Sequence, residues 1–232
     1  MSAAEPPPDP ALAERLAAVD EGIAAAVRAA DRDPAEIVRI VVTKFHPARL
    51  VRDLAALGVR DVGENRHQEA AAKAAEVDDP RLRWHFVGQL QSNKARAVRR
   101  YAATVHSVDR PSLVDALASD DGRALGCFLE IDLSGEPGRG GADPADAERL
   151  AHRVVASPGL ELLGVMAVAP LGAEPRPAFA RLREVSERVR TVAPEASAIS
   201  AGMSGDFAEA IAEGATHLRI GTAITGKRPD RG

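Results

Sequence analysis

Eight short runs of β-branched and apolar residues recur along the chain, each followed by a helical or helix-like segment. The runs are IVRIVVT (37–43), VRDVG (59–63), RWHFVG (83–88), TVHSVD (104–109), LGCFLEIDL (125–133), LELLGVMAV (160–168), SAIS (197–200) and THLRIG (216–221). Branching at Cβ favours extended backbone. Near-continuous apolar runs suit strands buried on both faces, as in a parallel sheet. Helical patterns occupy 47–57, 64–76, 92–101, 111–118, 144–156, 177–192 and 207–213. Such alternation implies a parallel sheet. Eight repeats favour closure into a (β/α)8 TIM barrel over an open doubly wound sheet. The open alternative carries a glycine-rich turn after its first strand, and here that turn is TKFHP, without glycine. An extra helix precedes the barrel. Leu12, Leu16, Val19, Ile23 and Val27 form one stripe over residues 11–30.

A barrel of this kind accounts for residues 11–232 as one domain, preceded by a flexible, proline-bearing tail at 1–10. The start of the chain has no basic segment leading into an apolar one, so a secretory signal is not expected. No run approaches the roughly 20 apolar residues that span a bilayer. A soluble, cytoplasmic protein without a membrane partner is therefore expected, and a monomer. Thirty basic and 34 acidic residues leave a net charge of −4, which offers nucleic acid no general attraction. The one locally basic stretch, NKARAVRRY, reads as a solvated helix face. The single cysteine, Cys127, rules out an intrachain disulfide, and its apolar run marks it as a buried core residue.

Barrels of this class place their chemistry at the C-terminal ends of the strands. In order, those ends offer Lys44, Asn65, His85 with Gln89, Asp109, Asp132 with Ser134, Met166, Ser200 with Ser204, and Arg219 with Thr222. The fold predicts that they converge on one mouth. Lys44 admits two readings. Its amine is partly desolvated, freeing the lone pair for attack on an aldehyde, or it reaches to the rim and stays solvated. AGMSGDF places Ser204 between two glycines at a strand-to-helix junction, where backbone N–H groups suit a phosphate. Alone, the segment also fits a simple helix cap. Together with Gly221 and Thr222 of RIGT after the eighth strand, phosphate is favoured, since barrel phosphate sites form after strands seven and eight. The six histidines include no pair at metal-ligand spacing on one helix, and no metal site is expected. His85 reads as a satisfied barrel histidine, and the glycine-rich loop 134–144 as a candidate lid.

VVTKFHP, VGENRHQE, WHFVGQLQSNK, GVMAV, SAGMSGDF and HLRIGTAITG, spread over residues 41–226, resemble the pyridoxal phosphate homeostasis protein family. The resemblance implies a barrel like that of alanine racemase, holding pyridoxal 5'-phosphate (PLP) as a Schiff base on Lys44. By the same resemblance Ser204, Gly221 and Thr222 hold the phosphate and Arg219 sits by the ring. Asn65, Met166 and Ser200 complete the expected cofactor-binding set, and no residue is assigned a catalytic role. A guanidinium has only donors, so Arg219 at the ring nitrogen leaves the pyridine largely unprotonated and a weaker electron sink; it could instead pair with phosphate or be structural. Three departures stand out: His46 where a second lysine is common, Arg66 where an aromatic residue is common, and Arg139 in place of a loop lysine.

Three functions compete: a PLP carrier or homeostasis factor with little catalysis of its own, for which PLP-dependent apo-enzymes are candidate partners; an amino-acid racemase or another PLP-dependent enzyme; and a barrel for a phosphate ligand unrelated to PLP. The resemblance disfavours the last. The expected barrel uses the whole chain, leaving no racemase-type second domain, and the one tyrosine, Tyr101, precedes the fourth strand, away from the mouth. The carrier is favoured.

Overall fold

In the computed structural model, which describes residues 7–136 and 140–227, eight parallel strands close on themselves in sequence order. The strands are β1 (Val38–Val42), β2 (Asp61–Glu64), β3 (Arg83–Phe86), β4 (Ala102–Val108), β5 (Leu125–Glu130), β6 (Leu160–Met166), β7 (Ala198–Ser200) and β8 (His217–Ile220). The helices are α1 (Pro10–Ala29), α2 (Ala48–Ala56), α3 (His67–Val77), α4 (Ala95–Arg99), α5 (Pro111–Leu117), α6 (Ala147–Val155), α7 (Pro175–Val192), α8 (Phe207–Ala212) and α9 (Thr222–Thr225). The ring is sealed by β8 against β1, with Ile40 opposite Arg219 and Val41 opposite Ile220.

The core lies between strands and helices. Val51 and Leu54 of α2, Leu150 and Val154 of α6, and Leu182 and Val189 of α7 are all buried against the barrel wall. Cys127 is fully buried, as its run suggested, and burial pushes its thiol up to about 12. The stripe Leu12–Leu16–Val19–Ile23–Val27 is buried, with α1 packing beside α8 and α9. Arg15 Nε donates to the Ile224 carbonyl at 2.8 Å and ties that helix down. At Gly164 in β6, φ is +153° and a Cβ would stand 1.8 Å from the Ala198 carbonyl oxygen of β7; only glycine permits that approach.

Several boundaries differ from the sequence reading. Residues 1–6 of the expected tail lie outside the described residues, and the first helix already begins at Pro10, with Asp9 accepting from the Ala11 N–H. Glu64, expected to open a helix, is the last residue of β2 and pairs with Phe86, because its side chain is hydrogen-bonded in the interior. The fifth strand ends at Glu130, and Ile131 only bridges to Ala142. Within the loop 134–144, residues 137–139, including Arg139, lie outside the described residues. Among the described residues, no helix is long and apolar enough to cross a membrane.

Candidate functional site

The predicted residues after β6, β7, β8, β1 and β2 fall on consecutive strands of the closed ring and share one side of the mouth. Lys44 follows β1 in a tight turn, and the next residue, Phe45, has φ +68°, a left-handed conformation that a bulky L-residue seldom adopts. The turn is held from several directions. The His46 N–H donates to the Thr43 carbonyl at 3.1 Å, and the Phe45 N–H to Glu69 Oε2 at 3.2 Å. The Arg66 guanidinium lies 5.1 Å over the Phe45 ring, so this departure from the family pattern keeps a contact with the turn. Beneath it, Thr43 Oγ1 donates to Glu64 Oε1 at 2.6 Å, and Lys73 Nζ donates to the same oxygen at 2.6 Å and to the Thr43 carbonyl at 2.8 Å. Lys44 itself is exposed, the rim-reaching arrangement of the two open to it, and among the described residues it makes no hydrogen bond or ion pair. Half-buried His46 is held below its ordinary pKa by burial and by the charge of Lys73.

The adjoining stretch of the mouth is built by β7, β8 and the helices that follow, β8 lying directly beside β1. Ser204 Oγ accepts from the Ala223 N–H at 3.4 Å, joining the loop after β7 to the first turn of α9. First-turn amides have no intrahelical acceptor; that of Ala223 is spent on Ser204 Oγ, and that of Thr222 is available to a ligand. A Cβ at Gly205 would meet nothing within 4 Å, and one at Gly221 only Val42, at 3.8 Å; both glycines border open space. Arg219 is 6% exposed. Its Nη1 donates to Ser200 Oγ at 2.6 Å and its Nη2 to the Ala167 carbonyl at 2.9 Å. Among the described residues no carboxylate touches it, and burial pulls its pKa down to about 10. Met166 and Ser200, register partners across β6 and β7, are both buried, Ser200 completely. Asn65 is half-buried, and its Oδ1 is buried without a donor.

Beneath the mouth the lumen holds a polar layer that sequence reasoning missed. His85 Nε2 lies 2.9 Å from Asp61 Oδ1, His85 Nδ1 lies 3.0 Å from His106 Nε2, and His106 Nδ1 lies 2.9 Å from Ser200 Oγ. His85 is thus a satisfied barrel histidine, as read. His106 stacks on Phe128 at 4.6 Å, and Phe128 meets His217 edge-on at 5.0 Å. Burial drives His106 well below its ordinary pKa and His217 down to about 4. Glu130, at the end of β5, is another carboxyl the sequence did not single out. Burial and then the charge of Asp109 raise it to about 7, and its Oε2 has no partner. Asp132 and Ser134 are bonded to each other, Ser134 Oγ donating to Asp132 Oδ1 at 2.6 Å. Tyr101 immediately precedes β4, and its ring lies against α3, stacked on His67 at 5.9 Å.

The donor set suits a flat, phosphorylated carbonyl compound: an exposed amine after β1, a first-turn amide and a hydroxyl after β8 and β7, and a buried donor-only cation on β8. Fold and mouth together define a (β/α)8 barrel with a strand-end lysine, Lys44, after the strand that pairs with the one carrying Arg219. The family described as alanine racemase, N-terminal domain, matches residues 15–229. A pyridoxal phosphate homeostasis protein of Mycobacterium tuberculosis is 41% identical, with 94% of this chain and 93% of that protein covered. The structure of PipY from Synechococcus elongatus with PLP bound superposes with a TM-score of 0.81 at 37% identity, covering 93% of this chain and all of that one. Alanine racemase from Corynebacterium glutamicum, 17% identical, shares the fold with a TM-score of 0.71 over 94% of this chain and 61% of its own. The chain belongs to the pyridoxal phosphate homeostasis proteins, within the alanine racemase N-terminal domain family.

Proposed function

We propose that this chain binds PLP covalently through Lys44 and serves as a cytoplasmic, monomeric carrier in vitamin B6 homeostasis, passing the cofactor to PLP-dependent apo-enzymes. The observation that carries the reading is the pairing of an unengaged lysine after β1 with a buried arginine that offers its ring-side neighbour donors only. Bound PLP supplies an aldehyde for condensation with an amine and a pyridine ring that takes up electron density. Lys44 Nζ provides the amine. Ser204 Oγ, positioned by the Ala223 N–H, and the first-turn amide of Thr222 hold the phosphate, with Gly221 leaving room for it. Arg219 orients the ring and gives it no carboxylate to protonate against. Asn65 and Met166 border the ring, while Ser200 acts through Arg219.

Racemisation needs acid–base groups on both faces of a bound amino acid. Lys44 serves one face; Tyr101, the one tyrosine, lies outside the strand ring, with its side chain stacked on His67 of α3. We therefore expect the purified protein to exchange the α-hydrogen of L-alanine in deuterium oxide only far below enzymic rates. Exchange on the order of 1 s⁻¹ or faster, read by proton NMR, would overturn the carrier reading in favour of the racemase.

The phosphate assignment has its own test. A charge-assisted hydrogen bond contributes roughly 1.5–3 kcal/mol, so Ser204→Ala is expected to weaken PLP binding on the order of tenfold or more. Titration with unphosphorylated pyridoxal is the control. If the wild type binds pyridoxal as tightly as PLP, the cradle assignment is wrong.

A further inference from the structure

We infer that Arg219, Ser200, His106, His85 and Asp61 form a directional positioning relay through the barrel lumen. It fixes the Arg219 guanidinium at the mouth by anchoring it to a carboxylate at the opposite end, with both histidines neutral and carrying their proton on Nε2. The purpose assigned to the relay rests on the reading that Arg219 faces PLP; its hydrogen-bond direction does not.

The direction follows from accounting for every proton. Asp61 accepts two hydrogen bonds from Arg83, at 2.7 and 2.6 Å. Against the desolvation that raises it, the bonds from His85 and Arg83 hold its carboxyl down at about 2, so it is an acceptor. His85 Nε2, 2.9 Å away, must then carry a hydrogen. In a neutral imidazole the other nitrogen is an acceptor, so His85 Nδ1 takes the hydrogen of His106 Nε2 at 3.0 Å. His106 Nδ1 is left to accept, and its neighbour at 2.9 Å is the Ser200 hydroxyl. Ser200 Oγ spends its hydrogen there and presents its lone pairs to Arg219 Nη1 at 2.6 Å. Each of the four imidazole nitrogens and the Ser200 hydroxyl then has a partner of the right kind.

The opposite direction does not close. An imidazolium at His85 would donate to His106 Nε2 and push the His106 hydrogen onto Nδ1. Ser200 Oγ would then face two donors, His106 and Arg219, and its own hydrogen would need another acceptor at a residue with 0% exposure. Unmade hydrogen bonds in such a place are costly. His106 is also fully buried beside the Arg219 cation and His217, surroundings that disfavour a second positive charge.

The consequence is mechanical. A guanidinium held by one carbonyl alone can swing about that bond. A second hydrogen bond, to a hydroxyl whose own orientation is fixed by a chain ending in an ion pair, determines its plane. Asp61 and the two histidines touch nothing at the mouth; they are positioning residues for Arg219.

Nitrogen-15 NMR of histidine-labelled, unloaded protein tests the direction without PLP. The expected result is that both His85 and His106 are neutral with the hydrogen on Nε2. A hydrogen on His106 Nδ1, or an imidazolium at His85, overturns the relay. His106→Phe keeps the stack on Phe128 but cuts the chain, and is expected to weaken PLP binding on the order of tenfold and to move the absorption maximum of the bound cofactor. His106→Gln, which retains one acceptor and one donor, is expected to restore most of both. Should His106→Phe not fold, Ser200→Ala cuts the same chain by one hydroxyl and carries the same expectation. A loss equal in the Phe and Gln variants, with an unmoved absorption maximum, shows a packing role and overturns the proposal. A wild type that takes up no PLP overturns the cofactor reading and the relay's purpose together, and the NMR result then decides the hydrogen-bond direction alone.

Discussion

Alanine in place of Lys44 is expected to abolish covalent retention of PLP while leaving the fold intact. The chain has four lysines, Lys44, Lys73, Lys94 and Lys227, so the assignment can be checked cleanly. Lys73 is committed to Glu64 and the Thr43 carbonyl and cannot leave them without stranding a buried carboxylate. Lys94 closes a short 3-10 turn after β3, and Lys227 follows α9. Only Lys44 leaves a strand end beside β8 with its amine unengaged. Borohydride reduction of the loaded wild type, followed by peptide mapping, should place the pyridoxyl group on Lys44 alone. In Lys44→Ala no residue should be labelled. Because Lys44 is exposed, its loss is expected to change stability by no more than about 0.5 kcal/mol. Lys44→Arg separates charge from nucleophile: it keeps the cation at the turn and should also take no label. A pyridoxyl group on Lys94 or Lys227 in the wild type sinks the assignment.

The barrel was legible because its strands are written in β-branched runs whose periodicity differs from that of the helices between them. Lys44 was legible because its position follows directly from the end of Ile40–Val42. Other features depend on three-dimensional pairing. His106 looks like any polar residue in a buried strand. Its partner is set by the register of β3 on β4, which shifts between Trp84 and His85, and by Ser200 ninety-four positions away. Glu64 was read as a helix residue because it precedes an alanine-rich helical pattern. Its strand pairing with Phe86 and its buried bonds to Thr43 and Lys73 override that local preference. The helix α9 has four residues, two of them threonine, between Gly221 and Gly226, and carries too little periodicity to be seen. The clue available in the sequence was the spacing of Glu64, Glu69 and Lys73, which returns one acid and one amine to the turn that presents Lys44.

That clue leads to the largest stability effect expected of a single side chain here. Lys73 and Glu64 form an ion pair at 2.6 Å with side chains only 8% and 1% exposed. Removing one partner of such a pair leaves an uncompensated buried charge, a loss of about 3–5 kcal/mol. Lys73→Met preserves length and apolar contact, so the loss it produces is mainly electrostatic. Glu64 would keep the Thr43 hydroxyl on Oε1, while its Oε2 already lacks a partner. The pH dependence identifies the cause. Burial raises the Glu64 pKa in the folded state above its ordinary value, against the hydrogen bonds from Lys73 and Thr43 that lower it. Between the unfolded and folded values the native state therefore binds more protons than the unfolded chain, and stability falls as pH rises through that window. Without Lys73 the folded value rises further and the window widens. Urea unfolding should show the variant most impaired near about pH 8 and recovering towards about pH 5, as Glu64 takes up a proton in the fold. The double variant Lys73→Met, Glu64→Gln should recover much of the loss at both values, because no charge is left to bury. A deficit independent of pH and unrelieved by Glu64→Gln would mean that Lys73 acts through packing. The turn carrying Lys44 would then owe its left-handed Phe45 to the Glu69 contact and the His46 N–H bond to the Thr43 carbonyl, without help from the pair beneath it.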